Sequence, residues 1–508
     1  MKLLYSGYAV LLSIVLLLAL RVTDPTALQS VRGQTFDAYQ QLDELKHSND
    51  IVLLNIGEKS LNKLGQYPFP RQTYAQLVID VATKNGGVLG WTIMFPEVDR
   101  FQGDPVFAEM LMQNKVNVPG ARRNPINFNV ISQTPSTRGI KTSGPHIGTG
   151  TIGPVPATNY LLKWPNLVTN IPIIESVANG KGVNASAPQP DNQTRTYPLA
   201  ITVGERIYPS FAIEMLRVKQ GQKSYKIKTS EIGIQEFMVK GYEPIVTQTN
   251  GTAYIRFNNH FTEIEYTGAE SIPDLENKFV IVGVTAEGVA NPVPTPRGNL
   301  YPQHIQAHML QNFIDGSNIT RSQLSAVTEL LCALLSMLLV ALAIYKLPIW
   351  AGLVTTVTII GGIVYYSIHS YTANLVLFDA TFPVIASFLI FSQASFNNFW
   401  IQFKLRAEIQ KQFAGYASPT VVRMLQENPD LIKQGMKKEV SICFSDLRGF
   451  TPLGESFGDD VQGLTKMMNE YMDAITQPIL DADGMVIKYI GDASMHIHNA
   501  PMDDPDHP

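Results

Sequence analysis

Four stretches of this chain are apolar over nearly the length needed to cross a bilayer, and they fix its organisation before any other feature. Leu3 to Val22 carries no charge until Arg21, and about twenty such residues in a helix span a ~30 Å hydrocarbon core. The run is longer than the apolar centre of a cleaved signal peptide and has no small-x-small cleavage site, so it reads as an anchor. A second apolar region breaks into Leu324 to Tyr345, Leu347 to Ile368, and Leu375 to Ile390 with an amphiphilic extension toward Trp400. Lys346 separates the second and third spans, Lys404, Arg406 and Lys411 follow the fourth, and the loop Ser367 to Asn374 has neither Lys nor Arg. The positive-inside rule then puts both ends of the chain in the cytoplasm and residues 23–323 outside. Glu329 and Asp379 fall near the outer ends of their spans, where a carboxylate reaches the interface.

Charged residues make up 16% of the 508, with a formal net charge of -4. That charge deficit agrees with a membrane-embedded fraction, and the lack of a basic field argues against a nucleic-acid partner. Cys332 and Cys443 lie far apart in unlike surroundings, so no disulfide framework is expected. In the large external region, Ile51 to Ile56, Val88 to Phe95 and Phe279 to Val284 read as buried strands and Tyr74 to Lys84 as an amphipathic helix. Residues 116–195, rich in Asn, Pro, Gly, Ser and Thr, read as irregular with short strands at most. His304 and His308 share a helix face, but without a third ligand nearby they read as packing or surface residues.

The segments IVLLNIGEKSL, YPFPRQTYAQLV, GGVLGWTIMFPEVD, TRTYPLAITVGERIYPSFAIEML, KFVIVGVTAEG and TPRGNLYPQHIQAHML, in that order over residues 50–312, resemble the second type of the CHASE family of extracytoplasmic sensor domains. Gly57 departs from the family, which often places an acidic residue there. Polar groups at strand ends and in loops are where α/β sheets take small molecules, which makes Arg71, Glu97, Asp99, Arg195 and Arg297 the candidate contacts for an unknown extracytoplasmic ligand.

After Trp400, Ile401, Leu405, Ile409 and Phe413 recur every four residues on one face of a linker helix, a stripe that fits pairing with a second chain. Ser418 to Asn428 reads as a further short helix with Ser418 as its cap and Pro419 at its first position. Then an apolar strand, Val440 to Phe444, runs into SDLRGFTPLGE, and a helix over Val461 to Ala482 follows. The segment GMVIKYIGDASMHIH reads as a hairpin with Asp492 at its tip. If the hairpin lies beside the first strand, Asp446 and Asp492 meet at one end of a sheet, as a pair of hard-cation ligands requires.

FSDLRGFT, the NEY of Asn469 to Tyr471, and KYIGDASM followed by NAPMDDPDHP resemble the first half of a class III adenylate or guanylate cyclase domain. The resemblance implies that Asp446 and Asp492, with the carbonyl of Leu447, hold two Mg²⁺ or Mn²⁺ ions. It implies that the amides of Gly449, Phe450 and Thr451 face phosphate, and that Lys488 reaches the base of ATP bound mainly by the other subunit of a homodimer. A lysine at that place is similar to the ATP-using members, and guanylate cyclases tend to carry an acidic residue there. His496 and His498 stand where the family is commonly apolar. The second half of the family domain would lie beyond Pro508, so this chain alone is expected not to turn over ATP.

The expected molecule is a multidomain α/β membrane protein. It has a first span over 1–22, a mixed α/β sensor over 23–323, three more spans over 324–400, a linker over 401–432 and a partial α+β ferredoxin-like cyclase domain over 433–508. Its expected activity is a receptor adenylate cyclase. The alternatives are a guanylate cyclase and a non-catalytic sensor or scaffold whose cyclase-like domain only dimerises. Diguanylate cyclase and histidine kinase fit less well, for want of a GGDEF-like motif and of a phospho-acceptor His with an ATP lid.

Overall fold

The computed structural model describes residues 7–112, 128–136, 148–185, 189–321, 324–413, 423, 437–500 and 503–507. The chain divides into two compact units, Val10–Ser392 and Met1–Ala9 with Gln393–Pro508. In the larger unit, α1 (Gly7–Thr23) and α2 (Thr26–Gln40) meet at a bend of 77°. Pro25 causes the break: it has no N–H to continue the ladder, and it holds the preceding Asp24 out of helical geometry, at φ 42°.

The sensor region is built on a seven-stranded sheet. Its strands include β1 (Lys46–Ile56), β2 (Val88–Trp91), β3 (Phe128–Ser136), β4 (Gly180–Val183), β5 (Asn259–Glu265) and β6 (Phe279–Val284). In space the order is β5-β1-β6-β2-β3, all parallel, with β4 parallel and the strand Asn166–Val168 antiparallel on β3. Around it lie α3 (Glu58–Leu64), α4 (Arg71–Thr83), α5 (Asp104–Met112), α6 (Pro172–Val177), α7 (Phe211–Lys219) and α8 (Pro302–Ile314). Neighbouring residues of a strand face opposite ways, and here both faces are covered. Ile51, Leu53, Val130 and Ile281 pack with Phe211, Leu216, Ile305 and Leu310 of α7 and α8. Val52, Leu54, Ile131 and Val282 pack with Tyr74, Leu77, Val81 and Phe107 of α4 and α5. Such two-sided burial is why the strands read as continuous apolar runs.

β6 has the bounds expected from the sequence. β2 ends at Trp91, short of Phe95, and α4 begins at Arg71. The expectation of short strands at most over 116–195 is corrected by β3, a nine-residue strand paired along β2. Residues 113–127, 137–147 and 186–188 of that stretch lie outside the described residues.

Among the described residues three helices are long and apolar enough to cross a membrane: α9 (Ser325–Lys346), α10 (Ile349–Asn374) and α11 (Thr381–Phe413), the last apolar to Glu408. The bent pair α1 and α2 makes a fourth if counted as one span. Leu375 to Ala380, expected inside the last span, is instead non-helical chain: the Thr320 amide donates to the Leu375 carbonyl at 2.8 Å and the Leu377 amide to that of Thr320 at 2.9 Å. Glu329 and Asp379, expected to reach outward at the ends of their spans, are turned into the protein instead. They are buried in an ion cluster, where Glu329 accepts from Arg21 and from Arg321, each at 2.8 Å, and from the Asp379 amide at 2.9 Å. Arg32 lies 3.5 Å from Asp379 and 2.8 Å from Asp24. In the sequence these acids stand alone: Arg21, Asp24 and Arg32 lie at or after the end of the first apolar run, and Arg321 just before the second.

The smaller unit contains β7 (Ser441–Ser445), α12 (Phe450–Ser456), α13 (Val461–Asp481), β8 (Met485–Ile490) and β9 (Ala493–His498). β9 lies between β7 and β8, antiparallel to both. Asp460 caps α13 by accepting from the Gly463 amide at 2.9 Å. Of the linker stripe, Ile401 and Leu405 are exposed on α11. The side chains of Ile409 and Phe413, and all of Ser418 to Asn428 except Arg423, lie outside the described residues.

Candidate functional site

Two places bring chemistry-bearing residues together. In the smaller unit, Ser445 pairs with Ser494 and Ile490 with Ala493. Asp446, the residue after β7, and Asp492, in the two-residue turn between β8 and β9, therefore emerge at the same end of the sheet. The Ser445 and Ser494 hydroxyls clamp that end at 2.6 Å. Both carboxylates act on the Tyr471 phenol of α13, which is pushed above its ordinary value by burial and then by the charges of Asp492 and Asp446. This is the juxtaposition the motif spacing predicts.

Gly449 stands before α12 in the left-handed region at φ 79°, where a side chain would be strained. The Phe450 amide is spent on the Leu447 carbonyl at 3.3 Å, which leaves it a poor phosphate donor in this conformation. Thr451 follows in the first turn of α12. Lys488 is exposed on β8, beside an irregularity in its pairing with β9. His496 and His498 are half-buried with their rings 5.6 Å apart. Among the described residues no group of three or more His, Cys, Asp or Glu side chains converges to hold a metal. The two carboxylates fit a hard cation as a pair, with further oxygens to come from main chain, water and phosphate.

The sensor candidates separate into supporting clusters. Arg71 donates to Asp104 at 3.1 Å and to the Glu97 carbonyl at 2.9 Å, with its guanidinium 4.7 Å from the Phe95 ring centre. Asp99 accepts from the Gly103 amide at 2.9 Å and the Arg71 amide at 3.3 Å. Arg71 and Asp99 thus meet with the Glu97 main chain, and their bonds hold the 97–104 loop onto the start of α4. The Glu97 side chain points to solvent. Arg195, 1% exposed, grips Asp37 of α2 at 2.6 and 2.7 Å and Asp191 at 2.6 Å. Burial works against its charge, yet the bonds to Asp37 and Asp191 raise its pKa overall. Arg297 donates to the main chain of Gln40 and Asp43 at the end of α2.

A cleft of about 540 Å³ opens elsewhere, lined by the ends of β1, β5 and β6 and by the start of α8. Asn55, Glu263, Glu265, Thr285 and His304 line it, with Lys59 of α3. Open parallel sheets take ligands at this edge. Glu263 receives His304 Nε2 at 3.1 Å and the Asn55 amide at 2.9 Å. The hydrogen bond from His304 holds its carboxyl below the ordinary value, against the effect of burial. Glu265 accepts from the amides of Lys59 and Ser60. The acidic group missing at Gly57 arrives here from the next strand: a Cβ on Gly57 would lie 2.7 Å from Glu265 Oε1. Sequence reasoning did not single out these cleft residues. Its only pointers were the His304 spacing and the apolar ends of β1 and β6.

A parallel α/β sheet covered on both faces, followed directly by three helices able to span a membrane, fits a membrane-tethered α/β domain. The model of the CHASE2 domain matches residues 9–344, and the chain belongs to the CHASE2 family. The match supports an extracytoplasmic sensor in a signalling receptor and takes in α1 and most of α9 as well as the sheet. No curated protein matches the chain.

Proposed function

We propose that the chain is the sensing and metal-binding part of a homodimeric transmembrane adenylate cyclase, which converts ATP to cyclic AMP and pyrophosphate in response to an extracytoplasmic ligand. Four spans leave the sensor outside and both ends of the chain in the cytoplasm. The observation that carries the reading is the strand register that brings Asp446 and Asp492 to one sheet edge beside Tyr471. Two divalent ions, Mg²⁺ or Mn²⁺, supply Lewis-acid activation of the ribose hydroxyl and charge neutralisation of the triphosphate when bound. Asp446 and Asp492 hold that charge, the Leu447 carbonyl adds an oxygen, and the Gly449 and Thr451 amides face phosphate. Lys488, unburied, is free to donate to an adenine nitrogen. The apolar sheet face carrying Ile442, Phe444 and Ile490, each more than half exposed, suits a domain that works against a second copy.

The test is cyclic AMP production in membranes expressing the whole reading frame that contains this chain, with Mn²⁺. Activity is expected for the wild type and none for Asp446→Ala; activity that survives the substitution sinks the mechanism. A second reading, a non-catalytic scaffold, draws on the lack of a third clustered metal ligand among the described residues. It wins if the intact wild type makes no cyclic nucleotide under any divalent metal.

A further inference from the structure

We propose that the cleft at the ends of β1, β5 and β6 binds a small zwitterion of the α-amino-acid class. The argument rests on which polar groups there are already committed. Glu263 takes His304 on one oxygen and Asn55 on the other, and Glu265 takes two amides of α3. These partners fix the carboxylates without covering them, since Glu263 remains 49% exposed.

The uncommitted side-chain groups among the cleft's lining residues are donors. The Lys59 ammonium makes no ion pair among the described residues, and Thr285 and Tyr301 add hydroxyls at the wall. The start of α8, a 13-residue helix whose first turn carries His304, adds the positive end of its dipole to the lining. An anion alone would sit beside two carboxylates, and a cation alone would face Lys59 and the helix end. A molecule with one ammonium and one carboxylate meets both: its ammonium binds Glu263 and Glu265, its carboxylate binds Lys59 and Thr285. A cleft of about 540 Å³ lies in the range of small-molecule sites and leaves room for a side chain.

The inference deepens the receptor reading by naming the class of its signal, and it rests on that reading only for its biological sense. Binding is measured without any cyclase assay, so either fails alone. The test is calorimetry on the full chain in nanodiscs at pH 7, titrated with each standard α-amino acid and with the matching des-amino acids and simple amines. Saturable binding of at least one amino acid is expected, with both fragment types silent. Lys59→Met and Glu263→Gln are each expected to weaken it about tenfold or more, with the unliganded melting temperature of Lys59→Met unchanged. Silence from every amino acid, equal binding of a fragment, or binding indifferent to both substitutions overturns the proposal.

Discussion

Arg21, near the end of α1, donates a 2.8 Å hydrogen bond to the fully buried carboxylate of Glu329 in α9, 308 residues away. Arg321 shares that carboxylate, and Arg32 joins through Asp24 and Asp379. Beside this cluster, Asp43 accepts from Tyr371 at the end of α10 and from Arg256 of the sensor region. Asp43 thus ties the end of α10 to the sensor region.

Glu329→Gln removes the buried carboxylate that Arg21 and Arg321 share, leaving Arg21 with Asp379 at 3.6 Å and Asp24 at 3.3 Å, and is expected to cost about 3 kcal/mol. Removing Arg21 and Glu329 together, as Arg21→Met with Glu329→Met, should cost less than the sum of the single changes, because the pair is coupled. Denaturant titration of the protein in nanodiscs checks both; additive losses count against the cluster.

Arg195→Met strands the carboxylates of Asp37 and Asp191 and should destabilise by a similar amount, on the order of 3 kcal/mol or more. Its local signature is faster amide exchange across Thr26–Gln40, since Asp37 is the hold of α2 on that part of the sensor. Exchange confined to the neighbourhood of residue 195 would remove the tether from α2.

His308 is packed between the rings of Phe257 and Phe261, and burial first, then neighbouring positive groups, pushes its pKa down to about 3. The unfolded chain takes up the proton near pH 6.5, the folded one near 3. Between those values the unfolded state binds more protons, so stability falls as the pH drops through that window, by up to about 1.4 kcal/mol per unit. His308→Phe should flatten the slope, as melting curves from pH 7 to 4 will show.

If the proposed cyclase reading holds, Lys488→Glu should shift its preference from ATP toward GTP, because a carboxylate accepts where a lysine donates. The ratio of cyclic GMP to cyclic AMP formed is the readout. An unchanged ratio removes Lys488 from base recognition.

The sequence reveals the central strands because both their faces are buried and apolar. It hides β3, whose Asn129, Ser132 and Gln133 look like loop residues. Each is buried with a partner that hydropathy does not register: Asn129 donates to the Leu111 carbonyl, the Ser132 carbonyl accepts from Asn170, and Gln133 donates to Glu175. The same blindness extends the last span over Leu375 to Ala380, where the Asp379 amide is claimed by Glu329. The positions of Asp446 at a strand end and Asp492 in a two-residue turn were legible locally, but their meeting depends on β7 pairing with β9 across 49 residues. The cleft was not, since Asn55 and Glu263 become neighbours only through pairing across 208 residues.

That pairing also governs how the protein is made. β1 emerges early in synthesis, yet both of its sheet neighbours, β5 and β6, come from the far end of the sensor. At roughly 5–20 residues per second its apolar edges wait on the order of ten seconds or longer before they can pair. Over that interval the strand is a ready template for a neighbouring nascent chain. The yield of active receptor should therefore depend on chaperone cover and translation speed more than on the stability of the finished sheet.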